Sequence, residues 1–239
     1  MQIEFYHDVI CSFCFPMSYR MRKVTAKHPK LNIIHRSFAL GLEADKFIQM
    51  FGSHEAVKPE VMDHWDQANL NDDDHHFNIQ GMKKKDFLFL TSKNRLKVAK
   101  AAGLLASEAA YWDVFDAIQY ALFVDNRDVC DLAVIEDILR EAGMNVKEWK
   151  AQFSKAEIED AILEDLQRVR DYGFQVAPAI VINQKYLISG AQPQAVIEQT
   201  IEKIGLRRRL SITRGIDVGR AREACCMVDS HWICDEYMN

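Results

Sequence analysis

The chain has 239 residues, of which 49% are hydrophobic, and carries a net charge of −5 from 30 basic and 35 acidic side chains. This length and composition allow a full hydrophobic core in one large domain, or in a domain that carries an insertion. Because the charge is slightly negative and no apolar run is long enough to span a bilayer, we expect neither nucleic acid nor a membrane as a partner. No secretion signal precedes the first predicted strand, so the sequence is interpreted as that of a cytoplasmic protein.

The most distinctive motif is the C-x-x-C pair formed by Cys11 and Cys14, which follows a strand predicted over residues 2–8. A cysteine at a strand-to-helix junction lies near the unpaired N–H groups and the positive dipole end of the helix, where a thiolate is favoured. Cys11 is therefore the candidate nucleophile. Cys14 follows one turn later on the same side and can attack a mixed disulfide held on Cys11.

Six cysteines in an intracellular chain of this length indicate redox chemistry or metal binding rather than a disulfide scaffold. A structural zinc site normally needs four ligands, and no second C-x-x-C follows, which argues against zinc at this pair. Two inert buried thiols are the other alternative. The spacing and the position of the pair favour the redox interpretation, so no metal or cofactor is predicted.

After the motif, the sequence predicts a helix, a second strand and then a long helical region. A helix is predicted to about His28 and a second strand over residues 31–38, after which helical periodicity takes over from 40 to 153. Helices in that region are predicted over residues 47–51, 59–69, 92–103, 107–122 and 131–143. The polar stretch 71–85, with its acidic residues 72–74 and the histidines that follow, is interpreted as a hydrated loop rather than a metal site.

Strand signals return in the last third of the chain. A capping box at residues 154–157 predicts a helix that ends near Gly173, followed by strands over 178–182 and 186–189 and a last helix closed by Gly205. We therefore predict a discontinuous domain of residues 1–39 and 154–205, a helical insertion domain of residues 40–153, and a tail of residues 206–239.

This order of elements resembles the thioredoxin fold, and a helical insertion after the second strand resembles its DsbA branch, with the FrnE-type members most similar. The resemblance spans about residues 3–205 and rests on three motifs: FYHDVICSFC at 5–14, VAPA at 176–179 and ISGAQP at 188–193. It implies an α/β fold with a mixed central sheet flanked by helices and an all-helical insertion after the second strand. It also implies a thiol–disulfide oxidoreductase, expected to act as a reductase or isomerase because a reducing compartment would keep the pair as a dithiol.

The resemblance assigns roles to residues outside the pair. Pro178 is expected to follow a cis bond and to lie against the two cysteines, the alternative being a trans proline that merely starts a strand. The backbone at Ala177 is expected to pair with an extended substrate segment, and Phe13 to contact the substrate. The expected partners are disulfide-containing proteins or small thiols, glutathione among them, acting on a monomer or homodimer.

Two other functions stay open. Kappa-class glutathione transferases and hydroxychromene-carboxylate isomerases share the insertion, but they usually have serine at the position of Cys11. A non-catalytic thioredoxin-fold protein that binds peptides is the second alternative.

The C-terminal tail holds Cys225, Cys226 and Cys234, which we interpret as accessory thiols able to reach a mixed disulfide. Together with His231 they are four soft metal ligands within ten residues. Adjacent Cys225 and Cys226 cannot easily both bind one tetrahedral ion, which weighs against zinc.

Overall fold

The computed structural model of the protein describes residues 1–42, 46–87, 91–214, 225–228 and 231–234, with side chains up to residue 206. Its central sheet has four strands in the order β2-β1-β3-β4. They are β1 (Gln2–His7), β2 (Asn32–Ser37), β3 (Ala179–Ile182) and β4 (Tyr186–Ser189). The first strand pairs parallel with β2 and antiparallel with β3, so the sheet is mixed, as predicted.

The connections within the strand pairs β3–β4 and β1–β2 differ because one pair is antiparallel and the other is parallel. β3 and β4 pair antiparallel through a tight turn in which Asn183 and Gln184 both have positive φ angles of 50° and 57°. Three residues connect the strands, and the Lys185 N–H closes the turn on the Ile182 carbonyl at 3.1 Å. Asparagine tolerates the left-handed conformation that this turn requires. The parallel pair β1 and β2 needs a crossover instead, which the first helix supplies.

Ten helices lie within the described residues. They are α1 (Cys14–Lys27), α2 (Lys46–Phe51), α3 (His54–Asn71), α4 (Ile79–Lys83), α5 (Lys93–Leu105), α6 (Glu108–Phe123), α7 (Leu132–Glu141), α8 (Val146–Phe153), α9 (Glu157–Tyr172) and α10 (Gln194–Arg214). A separate two-stranded sheet pairs β5 (Cys225–Val228) with β6 (His231–Cys234). None of the helices within the described residues combines the length and the hydrophobicity of a membrane-spanning segment.

Several predicted helix ends are confirmed by their caps. Ser107 and Asp131 accept hydrogen bonds from the backbone N–H groups of Ala110 and Ala133, which fixes the starts of α6 and α7. Gly173 follows α9 with a φ of 75°, a left-handed conformation that glycine adopts without a steric penalty.

Other predictions about the helices are wrong. The stretch 71–85 contains the short helix α4, and α8 was not predicted at all. Ser154 does not cap α9: its hydroxyl donates to the Lys150 carbonyl and lies at the end of α8. Gly205 does not end the last helix, since α10 continues to Arg214.

Two hydrophobic cores meet at the start of α1. One lies between the sheet and helices α1 and α10, and includes Phe5, Met21 and Ile197. The other fills the helical region and includes Trp65, Phe115 and both cysteines of the motif. Both cysteines of the motif therefore pack with the helical region, while Phe13 between them contacts both cores.

Candidate active site

The chain winds directly from the first strand into α1 through a pair of turns. The Cys11 N–H donates to the Asp8 carbonyl at 3.1 Å, and the Cys14 N–H donates to the Cys11 carbonyl at 3.0 Å. Cys14 is the first residue of α1, and Pro16 lies within the first turn, where its missing N–H group leaves no intrahelical bond unmade. Cys11 thus lies just before the N-terminal end of the helix, as the spacing predicts.

The loop before β3 faces this turn. The Ala177–Pro178 bond is cis, which confirms the expectation. The Cys11 thiol donates to the Ala177 carbonyl oxygen, with 3.7 Å between sulfur and oxygen, while the Pro178 carbonyl accepts from the Gly190 N–H at 2.8 Å. The nucleophile candidate and the loop expected to hold the substrate backbone are therefore in contact.

The two thiols differ in their surroundings. Cys11 is 3% exposed and Cys14 is fully buried, and both are free thiols. Burial raises the pKa of Cys14 well above its usual range, and the hydrogen bond and charge of Cys11 add to this rise. Cys14 therefore stays protonated at neutral pH, which suits a thiol that acts second.

Asp8 is a buried carboxyl beside the pair that the sequence analysis did not single out. Its oxygens accept the N–H groups of Ile10 at 3.2 Å and Leu40 at 2.8 Å, and the hydroxyl of Ser92 at 2.5 Å. Burial raises the pKa of Asp8, although these hydrogen bonds oppose the rise, and the charge of Asp8 in turn raises the pKa of Cys14. In the sequence, the feature that could have drawn attention to Asp8 is its position as a charged residue at the end of an apolar strand.

Ser92 has a different role from the predicted one. It precedes α5, but its side chain makes no capping hydrogen bond, because the hydroxyl donates to Asp8. The same oxygen accepts the Gly41 N–H at 3.2 Å. A residue predicted to begin a helix therefore joins that helix to the active-site turn.

Phe13 lies between the two cysteines in the sequence. Its side chain is half-buried and packs against the two hydrophobic cores that meet at the start of α1. Ala177 is also half-buried and packs against the core of the insertion. Their predicted contacts with a substrate stay predictions.

The remaining candidate residues are the cysteines of the tail and the acidic stretch. The side chains of Cys225, Cys226 and Cys234 lie outside the described residues. In the acidic stretch, His76 pairs with Asp72 at 2.9 Å and Asp73 pairs with Arg20 at 2.8 Å. Across the described part of the chain, no group of three or more His, Cys, Asp or Glu side chains is arranged to hold a metal ion.

A mixed sheet whose first strand leads into a C-x-x-C turn, with a cis-proline loop against the first thiol, defines a thioredoxin-fold protein of the thiol–disulfide class. The sequence profile of the DsbA-like thioredoxin domain matches residues 2–202. The chain therefore belongs to the DsbA-like thioredoxin domain family. No curated protein matches it in a sequence comparison.

Solved structures share the fold at low sequence identity. A candidate protein disulfide isomerase from Nitrosomonas europaea is 17% identical, with a TM-score of 0.71 over 86% of this chain and 98% of the other. A probable DsbA oxidoreductase from Streptomyces coelicolor is 18% identical, with a TM-score of 0.67 over 98% and 99% of the two chains. The cytosolic disulfide reductase DsbM from Pseudomonas aeruginosa, solved with GSH, is 14% identical, with a TM-score of 0.65 over 84% and 100%.

Proposed function

We propose that this chain is a thiol–disulfide oxidoreductase in which Cys11 attacks the substrate disulfide and Cys14 resolves the product. The observation that carries the proposal is the contact between the Cys11 thiol and the Ala177 carbonyl, with the fully buried Cys14 at the start of α1. This contact puts the nucleophile beside a backbone edge on which an extended peptide can pair.

The reaction proceeds in two exchanges. The Cys11 thiolate attacks one sulfur of the substrate disulfide, the old S–S bond breaks, and the departing substrate thiolate takes a proton from water. Cys14 then loses its proton, for which the buried Asp8 carboxylate is the proposed acceptor, and attacks the Cys11 sulfur. The second substrate sulfur leaves as a thiolate and takes up the proton held by Asp8, and the enzyme is left with a Cys11–Cys14 disulfide.

We further propose that the chain is a FrnE-type member of its family, acts as a reductase or isomerase in the cytoplasm, and is returned to the dithiol by a small thiol. The Pseudomonas relative solved with GSH supports glutathione as that thiol. The proposed division keeps residues 1–39 and 154–205 as the catalytic domain, 40–153 as the insertion, and the thiols of Cys225, Cys226 and Cys234 as accessory groups on the tail.

Reduction of insulin disulfides by the full chain tests the proposal. Cys11→Ser is expected to remove the activity, while Cys14→Ser accumulates mixed disulfides that a reductant releases, because only the first exchange remains. Cys130→Ser is the matched control, since Cys130 is an exposed cysteine just before α7 and outside the site. Equal activity of all three variants and the unsubstituted protein would refute the proposal.

The two alternatives give different results in the same preparation. A glutathione transferase would conjugate glutathione to an electrophilic test compound. The presence of both cysteines argues against this alternative. A peptide-binding protein without redox activity would keep its partners after Cys11 and Cys14 are both replaced by serine.

A further inference from the structure

A glutamine from the helical insertion reaches the turn that carries Cys11. Gln119 lies in the second half of α6 and is fully buried. Its side-chain Nε2 donates to the backbone carbonyls of Val9 at 3.1 Å and Cys11 at 3.2 Å, and is 3.4 Å from that of Asp8. One amide group therefore touches most of the turn between the first strand and α1.

The surroundings of Gln119 make this contact specific. Its neighbours on the same face of α6, Phe115 and Leu122, belong to the hydrophobic core. Burying a primary amide among such residues is unfavourable unless it is hydrogen-bonded. Within the described residues, Oε1 of Gln119 has no hydrogen-bond partner, so its two N–H donors are the groups that the fold uses.

The N–H groups of Gln119 bind carbonyl oxygens in the turn that carries the Cys11 thiol. The carbonyls of Asp8 and Cys11 each accept one further hydrogen bond within the turn, and Gln119 supplies a hydrogen bond to the Val9 carbonyl. Carbonyl oxygens carry partial negative charge, which disfavours a thiolate nearby, and an N–H donor bound to them offsets that effect. The same bonds fix the orientation of the turn relative to the first N–H groups of α1.

We infer that Gln119 is a positioning residue for the exchange reaction, which holds the Cys11 turn in the orientation that favours the thiolate and couples the insertion to the active site. The inference rests on the proposed function, because it concerns the nucleophile of that reaction. It also assigns to the insertion a part in reactivity in addition to any part in substrate binding.

The test compares three variants of the full, reduced chain. Gln119→Met keeps the side-chain length and removes both donors. Gln119→Glu keeps the shape and one donor, since a carboxyl buried at this position is neutral. Gln152→Met is the matched control, because Gln152 is a buried glutamine on α8 that donates to Glu157, outside the active site.

The measured quantity is the rate at which iodoacetamide alkylates Cys11, with the modified cysteine identified by peptide mass. The readout is the ratio of this rate at neutral pH to its plateau value at alkaline pH. We expect this ratio to fall about tenfold in Gln119→Met and by less in Gln119→Glu, with Gln152→Met matching the unsubstituted protein. Thermal melting is recorded separately, because a space-filling role would lower the melting temperature and leave the ratio unchanged.

An unchanged ratio in Gln119→Met overturns the inference, whatever its melting temperature. If Gln119→Met does not fold, an unchanged ratio in Gln119→Glu overturns it instead. Failure of the proposed function is recognised separately, because it would appear as an unsubstituted protein that does not reduce insulin.

Discussion

Two of the regions through which the insertion contacts the rest of the described chain differ in their chemistry. Away from the active site, a charged layer formed by Glu4, Arg36, Lys100 and Asp165 joins β1, β2, α5 and α9. Asp165 is 1% exposed, and its oxygens lie 3.0 Å from Arg36 and 2.5 Å from Lys100. At the active-site turn, the insertion offers neutral donors instead, the amide of Gln119 and the hydroxyl of Ser92.

From this difference we expect the stability of the fold and the reactivity of the Cys11 thiol to depend on separate contacts. In the charged layer, each buried charge requires its partner, because an unpaired ion in the interior is strongly unfavourable. In the turn, neutral donors adjust partial charges near Cys11 without adding a full charge. Mutations should therefore be able to change stability and thiol reactivity independently.

The largest expected effect on stability comes from the charged layer. Asp165→Asn leaves Arg36 and Lys100 without their shared anion, and we expect it to lower the free energy of unfolding by about 3–5 kcal/mol. Urea unfolding measures this loss. Arg140→Ala is the control, because Arg140 is 56% exposed where it pairs with Glu136, and its loss should cost less than about 0.5 kcal/mol. A change in Cys11 alkylation by folded Asp165→Asn would contradict the separation of the two regions.

A second effect depends on pH and concerns the histidines beside this layer. Burial lowers the pKa of His35 to about 3, with the charges of Arg22 and Lys100 adding to the effect, and its Nδ1 lies 3.0 Å from Nε2 of the equally buried His7. In the unfolded chain His35 titrates near its ordinary value of about 6.5. Its contribution to stability is therefore complete above that pH and is lost as the pH falls toward 3.

We expect this loss to amount to about 2–4 kcal/mol between neutral and acid pH, and His35→Gln to flatten that part of the stability profile. Urea unfolding at several pH values measures it. Burial raises the pKa of Asp116 to about 6, so the stability contribution of Asp116 is lost as the pH rises, in the opposite direction. Asp116 is common to both proteins, so the difference between the two profiles reports on His35 together with His7, whose pKa the charge of His35 also lowers. Parallel profiles would show that His35 is not held neutral.

The smallest expected effect lies at the turn. Ser92→Ala removes the hydroxyl that donates to Asp8, and we expect a loss of about 1–2 kcal/mol in the free energy of unfolding. Because the hydrogen bond from Ser92 lowers the pKa of Asp8, the substitution should raise that pKa further. Urea unfolding measures the stability, and a carbonyl infrared titration follows the carboxyl. A loss as large as that of Asp165→Asn would remove the distinction between the two regions.

The parts of the fold that could be predicted from the sequence are those specified by neighbouring residues. The strand before Cys11, the caps at Ser107 and Asp131, and the left-handed Gly173 each depend on signals within a few positions. The cis bond at Pro178 came from the resemblance of a short motif rather than from the residues alone. These local features were enough to place Cys11 just before the start of α1.

The missed features depend on residues far apart in the chain. Ser92 is 84 positions from Asp8, and Gln119 is 108 positions from Cys11, so neither pairing has a local signature. A serine before a helix can cap it or bond elsewhere, and only the tertiary structure decides between these outcomes. The short helix α8 was missed although Asn145 caps it and Val146, Trp149 and Phe153 have helical spacing, because eight residues are too few to establish a period by themselves.

The central claim is that Cys11 and Cys14 form one reversible redox pair. We would equilibrate the protein against a series of glutathione redox buffers, quench with acid, and identify the disulfides by peptide mass. The account predicts a single two-electron transition from the dithiol to a Cys11–Cys14 disulfide. A pair that stays reduced at the oxidising end of the series, or that forms disulfides only with other cysteines, would contradict it.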